Sequence, residues 1–279
     1  MIKVHSQHFI AFRSSRFHYS SWGTGSRILF AFHGYGESAG SFSFLEEALG
    51  SDFTIIAPDL PFHGATQWAE DRLFLDPHDF LALLEEIAAG FPGREAGWWL
   101  MGYSMGGRVA LQLLEFAPQR VQRLVMLAPD GLKVNPWYWL GTQSRAGNQL
   151  FRWTMKKPGW LFFLLRTGNK LRLVNPSLYK FAAYYINDDR LRQDLYTRWT
   201  TMRGFRPRLD VIAGFIRERQ IPVFLLYGSY DRIIPSGRGE RFRQRTAPYC
   251  RLTLLAAGHQ LLQPKFIEVI TNALYLPII

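Results

Sequence analysis

The stretch Gly102-Tyr103-Ser104-Met105-Gly106 decides how the fold of this chain is interpreted. An apolar run at 98–101 precedes it and predicts a buried strand, and the pattern over 106–116 predicts a helix. A G-x-S-x-G pattern between a strand and a helix predicts a strained turn that holds its serine at the end of the strand. Glycine is expected two residues before and two after the serine because larger side chains would clash there. The start of the helix favours negative charge beside the serine, which makes Ser104 a candidate nucleophile.

Strand and helix patterns alternate over residues 1–130 and again over 220–279. The predicted strands cover 5–12, 16–22, 28–32, 54–57, 98–101, 123–127, 222–227 and 252–255. The predicted helices cover 41–49, 79–89, 106–116, 239–245 and 266–274. Continuous apolar strands that alternate with helices indicate an α/β fold, with a mostly parallel sheet covered by helices on both faces.

Residues 131–219 interrupt this alternation, because they contain no clear buried strand. Helical patterns lie near 150–155, 178–186 and 190–201, and aromatic residues are frequent. We therefore predict two domains. Residues 1–130 and 220–279 form the α/β core domain, and residues 131–219 form a helical, basic, aromatic-rich cap inserted after the sixth strand.

A serine hydroxyl is a weak nucleophile and needs a base. Asp231 follows the predicted strand 222–227, and His259 follows the next one. The carboxyl ends of parallel strands meet at one edge of a sheet, so both side chains are expected to reach Ser104 there. His259 would be the base and Asp231 the acid that orients it. Asp130, which follows the strand before the insertion, is an alternative acid.

The loop His33-Gly34-Tyr35-Gly36 follows the third predicted strand and is a candidate oxyanion-binding loop. The backbone N–H groups of Tyr35 and Met105 would bind the negative oxygen of a tetrahedral intermediate. His33 is expected to support the loop by bonding to its backbone. The same loop could instead be an ordinary tight turn between strand and helix.

Together these motifs resemble the α/β-hydrolase superfamily. The matching stretches are His33-Gly34-Tyr35-Gly36, 57–64, Gly102-Tyr103-Ser104-Met105-Gly106-Gly107, 228–231 and Gly258-His259. The resemblance implies a serine hydrolase with Ser104, Asp231 and His259 as its triad and a variable cap at the position of 131–219. Phe62 is a departure, since the family usually has glycine before its His-Gly pair.

The positive charge of the chain is unevenly distributed. The 279 residues carry a net charge of +11, yet 131–219 hold 17 basic and 5 acidic residues, so the rest is nearly neutral. The longest apolar run is far shorter than the roughly 20 residues of a membrane span. The N-terminus lacks an apolar signal region, and Cys250 is the one cysteine. We therefore expect a cytoplasmic protein, with attachment to a membrane surface as an open alternative.

These features predict a hydrolase that cleaves an ester or thioester with an apolar acyl group through an acyl-enzyme on Ser104. We expect neither a metal nor an organic cofactor. An acyltransferase with the same triad and a non-catalytic ligand-binding protein are the alternatives. The basic segment is either a solvated surface or a site for an anionic membrane, an acidic acyl carrier or a CoA thioester. Nucleic acid is not expected, since no recognition motif accompanies the charge.

Overall fold

The computed structural model describes residues 6–133, 136–171 and 187–278. The strands are β1 (Ser6–Phe12), β2 (Ser15–Trp22), β3 (Arg27–Phe32), β4 (Phe53–Pro58), β5 (Trp98–Tyr103), β6 (Val121–Leu127), β7 (Val223–Gly228) and β8 (Cys250–Leu255). The α-helices are α1 (Glu46–Leu49), α2 (Pro77–Ala89), α3 (Met105–Phe116), α4 (Pro136–Gln143), α5 (Arg145–Lys156), α6 (Gly159–Lys170), α7 (Asp189–Thr201), α8 (Leu209–Arg219), α9 (Gly237–Thr246) and α10 (Ile267–Tyr275).

The strands form one sheet in the order β1-β2-β4-β3-β5-β6-β7-β8. The pairs β1–β2 and β2–β4 are antiparallel, and the other neighbouring pairs are parallel. The predicted α/β fold with a mostly parallel sheet is therefore confirmed. Because β3, β5, β7 and β8 run in one direction, the segments that follow them emerge at the same edge of the sheet.

Burial explains why the apolar runs form strands in the middle of the sheet. Every residue of β4 and β7 is buried, as expected for parallel strands covered on both faces, whereas burial alternates along β1 at the end of the sheet. The start of α2 has a local cause, because the Asp76 side chain accepts a hydrogen bond of 2.8 Å from the His78 N–H and Pro77 follows it.

The described residues divide into two compact units. The first unit comprises those within 1–70, 76–133 and 205–279, and it contains the whole sheet. The second comprises those within 71–75 and 134–204. Segment 71–75 is held there by bonds from the Leu75 N–H to the Thr201 carbonyl at 2.9 Å and from Arg203 Nη1 to the Leu73 carbonyl at 2.6 Å.

The boundary of the second unit differs from the predicted end of the insertion at residue 219. Helix α8 belongs to the first unit, where it packs against α3 and α9 and buries Ile212 and Ile216. The Glu115 side chain of α3 accepts a hydrogen bond of 2.7 Å from the Arg208 N–H just before α8. We predicted no helix here, although Leu209, Ile212, Ala213 and Ile216 have helical spacing, because the charged end of α8 resembles the basic segment before it.

Within the second unit, α5 and α7 correspond to the predicted helical patterns near 150–155 and 190–201, whereas α4 and α6 were not predicted. The helix predicted over 178–186 lies outside the described residues. In the first unit, the helix predicted over 41–49 is a 3₁₀-helix over Ala39–Leu45 followed by the single turn α1.

Candidate active site

Ser104 lies at the turn between β5 and α3, in a backbone conformation that few side-chain-bearing residues adopt. Its φ is +49° and its ψ is −115°. A non-glycine residue in such a region is strained, and the surrounding structure must hold it there. The bonds from the Ser104 N–H to the Leu127 carbonyl at 2.9 Å and from the Asp130 N–H to the Ser104 carbonyl at 2.8 Å connect this turn to the end of β6.

The glycines on either side of Ser104 allow the strand and the helix to approach each other closely. A Cβ atom on Gly102 would lie 2.6 Å from the Gly106 carbonyl oxygen and 2.7 Å from the Gly107 Cα. A Cβ atom on Gly106 would collide with the backbone of Phe32 at the end of β3. Neither position can therefore hold a larger residue without a shift of the backbone, which is the clash that the sequence pattern predicts.

The structure brings Ser104, His259 and Asp231 together in one hydrogen-bonded chain. His259 Nε2 lies 3.0 Å from Ser104 Oγ, and His259 Nδ1 lies 2.7 Å from Asp231 Oδ2. The Asp231 side chain is fully buried, and that of His259 is 14% exposed. Since the ionised Asp231 carboxylate can only accept hydrogen bonds, His259 donates its Nδ1 proton to it, and its Nε2 is free to accept the Ser104 proton.

Asp231 also organises the turn that follows β7. Its Oδ1 accepts hydrogen bonds from the N–H groups of Ile233 at 2.8 Å and Ile234 at 2.9 Å. One carboxylate therefore closes its own turn with one oxygen and holds His259 with the other. The alternative acid, Asp130, is directed elsewhere, because it pairs with Arg108 and accepts a hydrogen bond of 2.7 Å from the Gly131 N–H.

The loop after β3 lies against the serine. A Cβ atom on Gly34 would lie 3.3 Å from the Ser104 Cβ and 2.9 Å from the Tyr103 ring. His33 is buried and bonds to backbone on both sides, with Nδ1 donating to the Gly34 carbonyl at 2.8 Å and Nε2 accepting from the Leu60 N–H at 3.1 Å. Met105 is the first residue of α3, so its N–H has no acceptor within the helix.

A buried carboxylate, Asp59, supports the next loop, which follows β4. It accepts hydrogen bonds from the N–H groups of Ala39 at 2.6 Å and Ala65 at 2.8 Å and lies 2.7 Å from His18 Nδ1. In this loop Phe62 has a φ of +63°, the left-handed conformation that glycine adopts most readily. The turn therefore forms with phenylalanine at a position whose conformation favours glycine.

Tyr103 and Gln260 are contacts of the site that the sequence did not indicate. The buried Tyr103 hydroxyl donates a hydrogen bond of 2.8 Å to Gln260 Oε1 and lies 3.4 Å from the His259 carbonyl. Burial, together with the negative charges of Glu37 and Asp231, raises the pKa of this hydroxyl above its ordinary value, so it remains a donor. Residue 103 is a variable position of the G-x-S-x-G pattern, and Gln260 belongs to no motif, so no signal marked either.

The part of the chain that the structure describes holds no group of three or more His, Cys, Asp or Glu side chains arranged to bind a metal ion. Over 6–133, 136–171 and 187–278, no helix is long and apolar enough to cross a membrane.

Comparison with known families assigns the fold to one group. Residues 27–262 match the family model described as the alpha/beta hydrolase fold. The chain belongs to this family. The match extends from β3 to the segment just after His259, so it includes Ser104, Asp231 and His259.

Two curated relatives of this α/β hydrolase are named for different activities. A pimeloyl-acyl-carrier-protein methyl ester esterase of Nitrosomonas europaea is 27% identical over 87% of this chain and 92% of that protein. A dihydrolipoyllysine-residue acetyltransferase component of the acetoin cleaving system of Pseudomonas putida is 30% identical over 85% of this chain. The chain spans only 60% of the length of that second protein.

Solved structures show the same fold at lower sequence identity. A thioesterase domain from the curacin biosynthetic pathway has a TM-score of 0.62 at 18% identity and covers 97% of this chain and 99% of its own. A hydrolase from Pseudomonas aeruginosa has a TM-score of 0.65 at 19% identity and covers 96% of this chain and 97% of its own.

We predict that Tyr103→Phe lowers kcat by roughly 3- to 10-fold and leaves KM nearly unchanged, because the segment that carries His259 loses a hydrogen bond. Steady-state kinetics across pH would also detect a shifted kcat profile. Tyr227→Phe is the matched control, since Tyr227 is equally buried and its hydroxyl bonds to no group in the described ranges. If both variants lost activity to the same extent, Tyr103 would have no role in positioning His259.

Proposed function

We propose that this protein is a serine hydrolase that cleaves a carboxylic ester or thioester through an acyl-enzyme on Ser104. The observation that carries the proposal is the hydrogen-bonded chain from Ser104 through His259 to Asp231, at a turn that keeps the serine in a strained conformation. The relatives named as pimeloyl-acyl-carrier-protein methyl ester esterases support the same reaction class.

In the first half of the proposed reaction, Ser104 Oγ attacks the acyl carbonyl carbon while His259 Nε2 accepts its proton. The carbonyl oxygen becomes negative, and the N–H groups of Tyr35 and Met105 donate hydrogen bonds to it. The imidazolium of His259 is stabilised by Asp231 and then protonates the departing alcohol or thiol. The acyl group remains bound to Ser104 as an ester.

In the second half, His259 takes a proton from water, and the resulting hydroxide attacks the acyl-enzyme carbonyl. The bond to Ser104 Oγ breaks, Oγ regains its proton from His259, and a carboxylic acid leaves. We propose that the acyl group is apolar, because residues 131–219, which we expect to act as a cap, are rich in aromatic and aliphatic side chains. A panel of p-nitrophenyl esters and acyl thioesters of increasing chain length measures this preference.

The two candidate acids provide an internal comparison. Asp231→Asn is expected to lower kcat by about 10⁴-fold, because an amide favours the wrong tautomer of His259. Asp130→Asn, at the matched position after β6, should change kcat by less than about threefold, since Asp130 pairs with Arg108. Both variants are compared with the wild type and Ser104→Ala on the most reactive ester of the panel. A large loss in Asp130→Asn with an active Asp231→Asn would reverse the assignment.

Acyl transfer to an acceptor other than water is a second candidate function, and the acetyltransferase-component relative favours it. The same acyl-enzyme would then be attacked by an alcohol or a thiol. Product analysis with competing glycerol, coenzyme A and dihydrolipoamide separates the two functions. For a hydrolase we expect free acid to remain the main product at every acceptor concentration, whereas a transferred acyl group as the main product would identify an acyltransferase.

A further inference from the structure

Helix α6 is apolar, yet it is not packed into a core. Residues 160–165 are six consecutive aromatic or aliphatic residues, but none of the twelve residues of α6 is buried. A helix of this length is marginal in water unless an apolar face is packed. The apolar composition of α6 therefore indicates that another surface covers its exposed side chains.

The exposed apolar side chains of α6 lie on one stripe of the helix. Trp160, Phe163 and Leu164 are spaced three and four residues apart, so they share a face. They are 39%, 68% and 53% exposed, respectively. Arg166 and Lys170 border this stripe, and both line a surface groove together with Phe163. The helix thus presents an apolar stripe with cations along its edge.

Helix α5 continues the same surface. Leu150 and Trp153, three residues apart, are 52% and 48% exposed, and the Trp153 ring stacks on that of Trp160 with the ring centres 6.2 Å apart. Exposed Arg152 and Lys156 lie beside them. We define the basic–aromatic surface as the exposed side chains of Leu150, Arg152, Trp153, Lys156, Lys157, Trp160, Phe163, Leu164, Arg166 and Lys170.

The stretch of sequence that contains this surface carries charge of a single sign, and the acidic residues Asp188 and Asp189 come directly after it. Residues 131–187 contain nine lysines and arginines and no aspartate or glutamate. Interfacial helices combine exposed Trp, Phe and Leu with flanking Lys and Arg, because the apolar groups enter the boundary of a bilayer and the cations meet anionic headgroups. We propose that the basic–aromatic surface binds the protein to an anionic lipid surface.

Other occupants fit these residues less well. A second copy of the same surface would bring like charges together, which opposes association. An acidic protein would neutralise the cations, but charge pairing alone would leave Phe163 and Leu164 in water. An anionic bilayer satisfies both classes of side chain at once.

Cosedimentation of the full chain with vesicles tests this proposal. Binding is expected to vesicles that contain phosphatidylglycerol and to be much weaker with phosphatidylcholine alone. High salt should weaken the binding without abolishing it, since the apolar contribution is not screened. Because this readout is independent of catalysis, Ser104→Ala should bind as the wild type does, so failure of the proposed reaction and failure of this proposal are distinguishable.

Matched variants separate the apolar contribution to vesicle binding from the electrostatic contribution. Phe163→Ser with Leu164→Ser should lower the partition coefficient at least about tenfold through lost apolar burial. Lys156→Gln with Lys157→Gln should lower it by roughly tenfold or more through lost charge. The controls are Leu254→Ser, at a site 54% exposed in the first unit, and Arg241→Gln with Lys265→Gln, which remove two exposed cations from that unit. Circular dichroism checks that each variant folds.

Several outcomes would overturn the proposal. Equal binding to both vesicle types, or equal losses in the test and control variants, would show that the basic–aromatic surface is not the lipid contact. No vesicle binding, together with salt-sensitive binding to an acidic acyl carrier protein, would identify a protein partner instead. Self-association abolished by Phe163→Ser, without vesicle binding, would identify a second copy as the occupant.

Discussion

The close approach of α3 to β3 and β5 is the constraint on which the candidate site depends. It leaves no room for a side chain at Gly102 or Gly106, and it forces Ser104 into a conformation with positive φ. The strained turn is held by hydrogen bonds to residues 127 and 130, at the end of β6 and just after it. A serine in this position projects from the sheet edge at the start of a helix, where negative charge is favoured. The fold thus determines the position of Ser104 and provides part of the stabilisation of negative charge beside it.

The remaining groups reach Ser104 because parallel strands end at a common edge. His259 follows β8, and Asp231 follows β7, so residues up to 155 positions apart in sequence become hydrogen-bonded neighbours. Asp231 is fixed twice, by its own turn and by the imidazole, so its orientation is independent of any substrate. Tyr103, directly before the serine, bonds to Gln260, directly after the histidine. The segment that carries Ser104 and the segment that carries His259 are therefore joined by a side-chain hydrogen bond.

The sequence predicted those elements whose structure is determined by a local pattern of residues. The buried strands and the G-x-S-x-G turn were predictable because continuous apolar runs and paired glycines each have a dominant physical cause. The choice between Asp231 and Asp130 was not fixed by sequence, since both follow a strand and only side-chain direction separates them. Helix α8 was missed because its charged end continues the basic segment before it, although its apolar residues have helical spacing. Helix α6 was missed because six consecutive apolar residues show no helical period. The partners of Tyr103 depend on tertiary contacts that leave no mark in a local pattern.

The central claim is that Ser104 is an activated nucleophile, and covalent labelling tests it without a known substrate. The folded protein and its Ser104→Ala variant are treated with a fluorophosphonate probe, and adducts are located by mass spectrometry of intact protein and peptides. We expect a single adduct on Ser104, formed only in the wild type, because the probe requires a serine whose proton His259 can accept. Absence of an adduct in the folded wild type, or equal labelling of the variant, would contradict this account of the site.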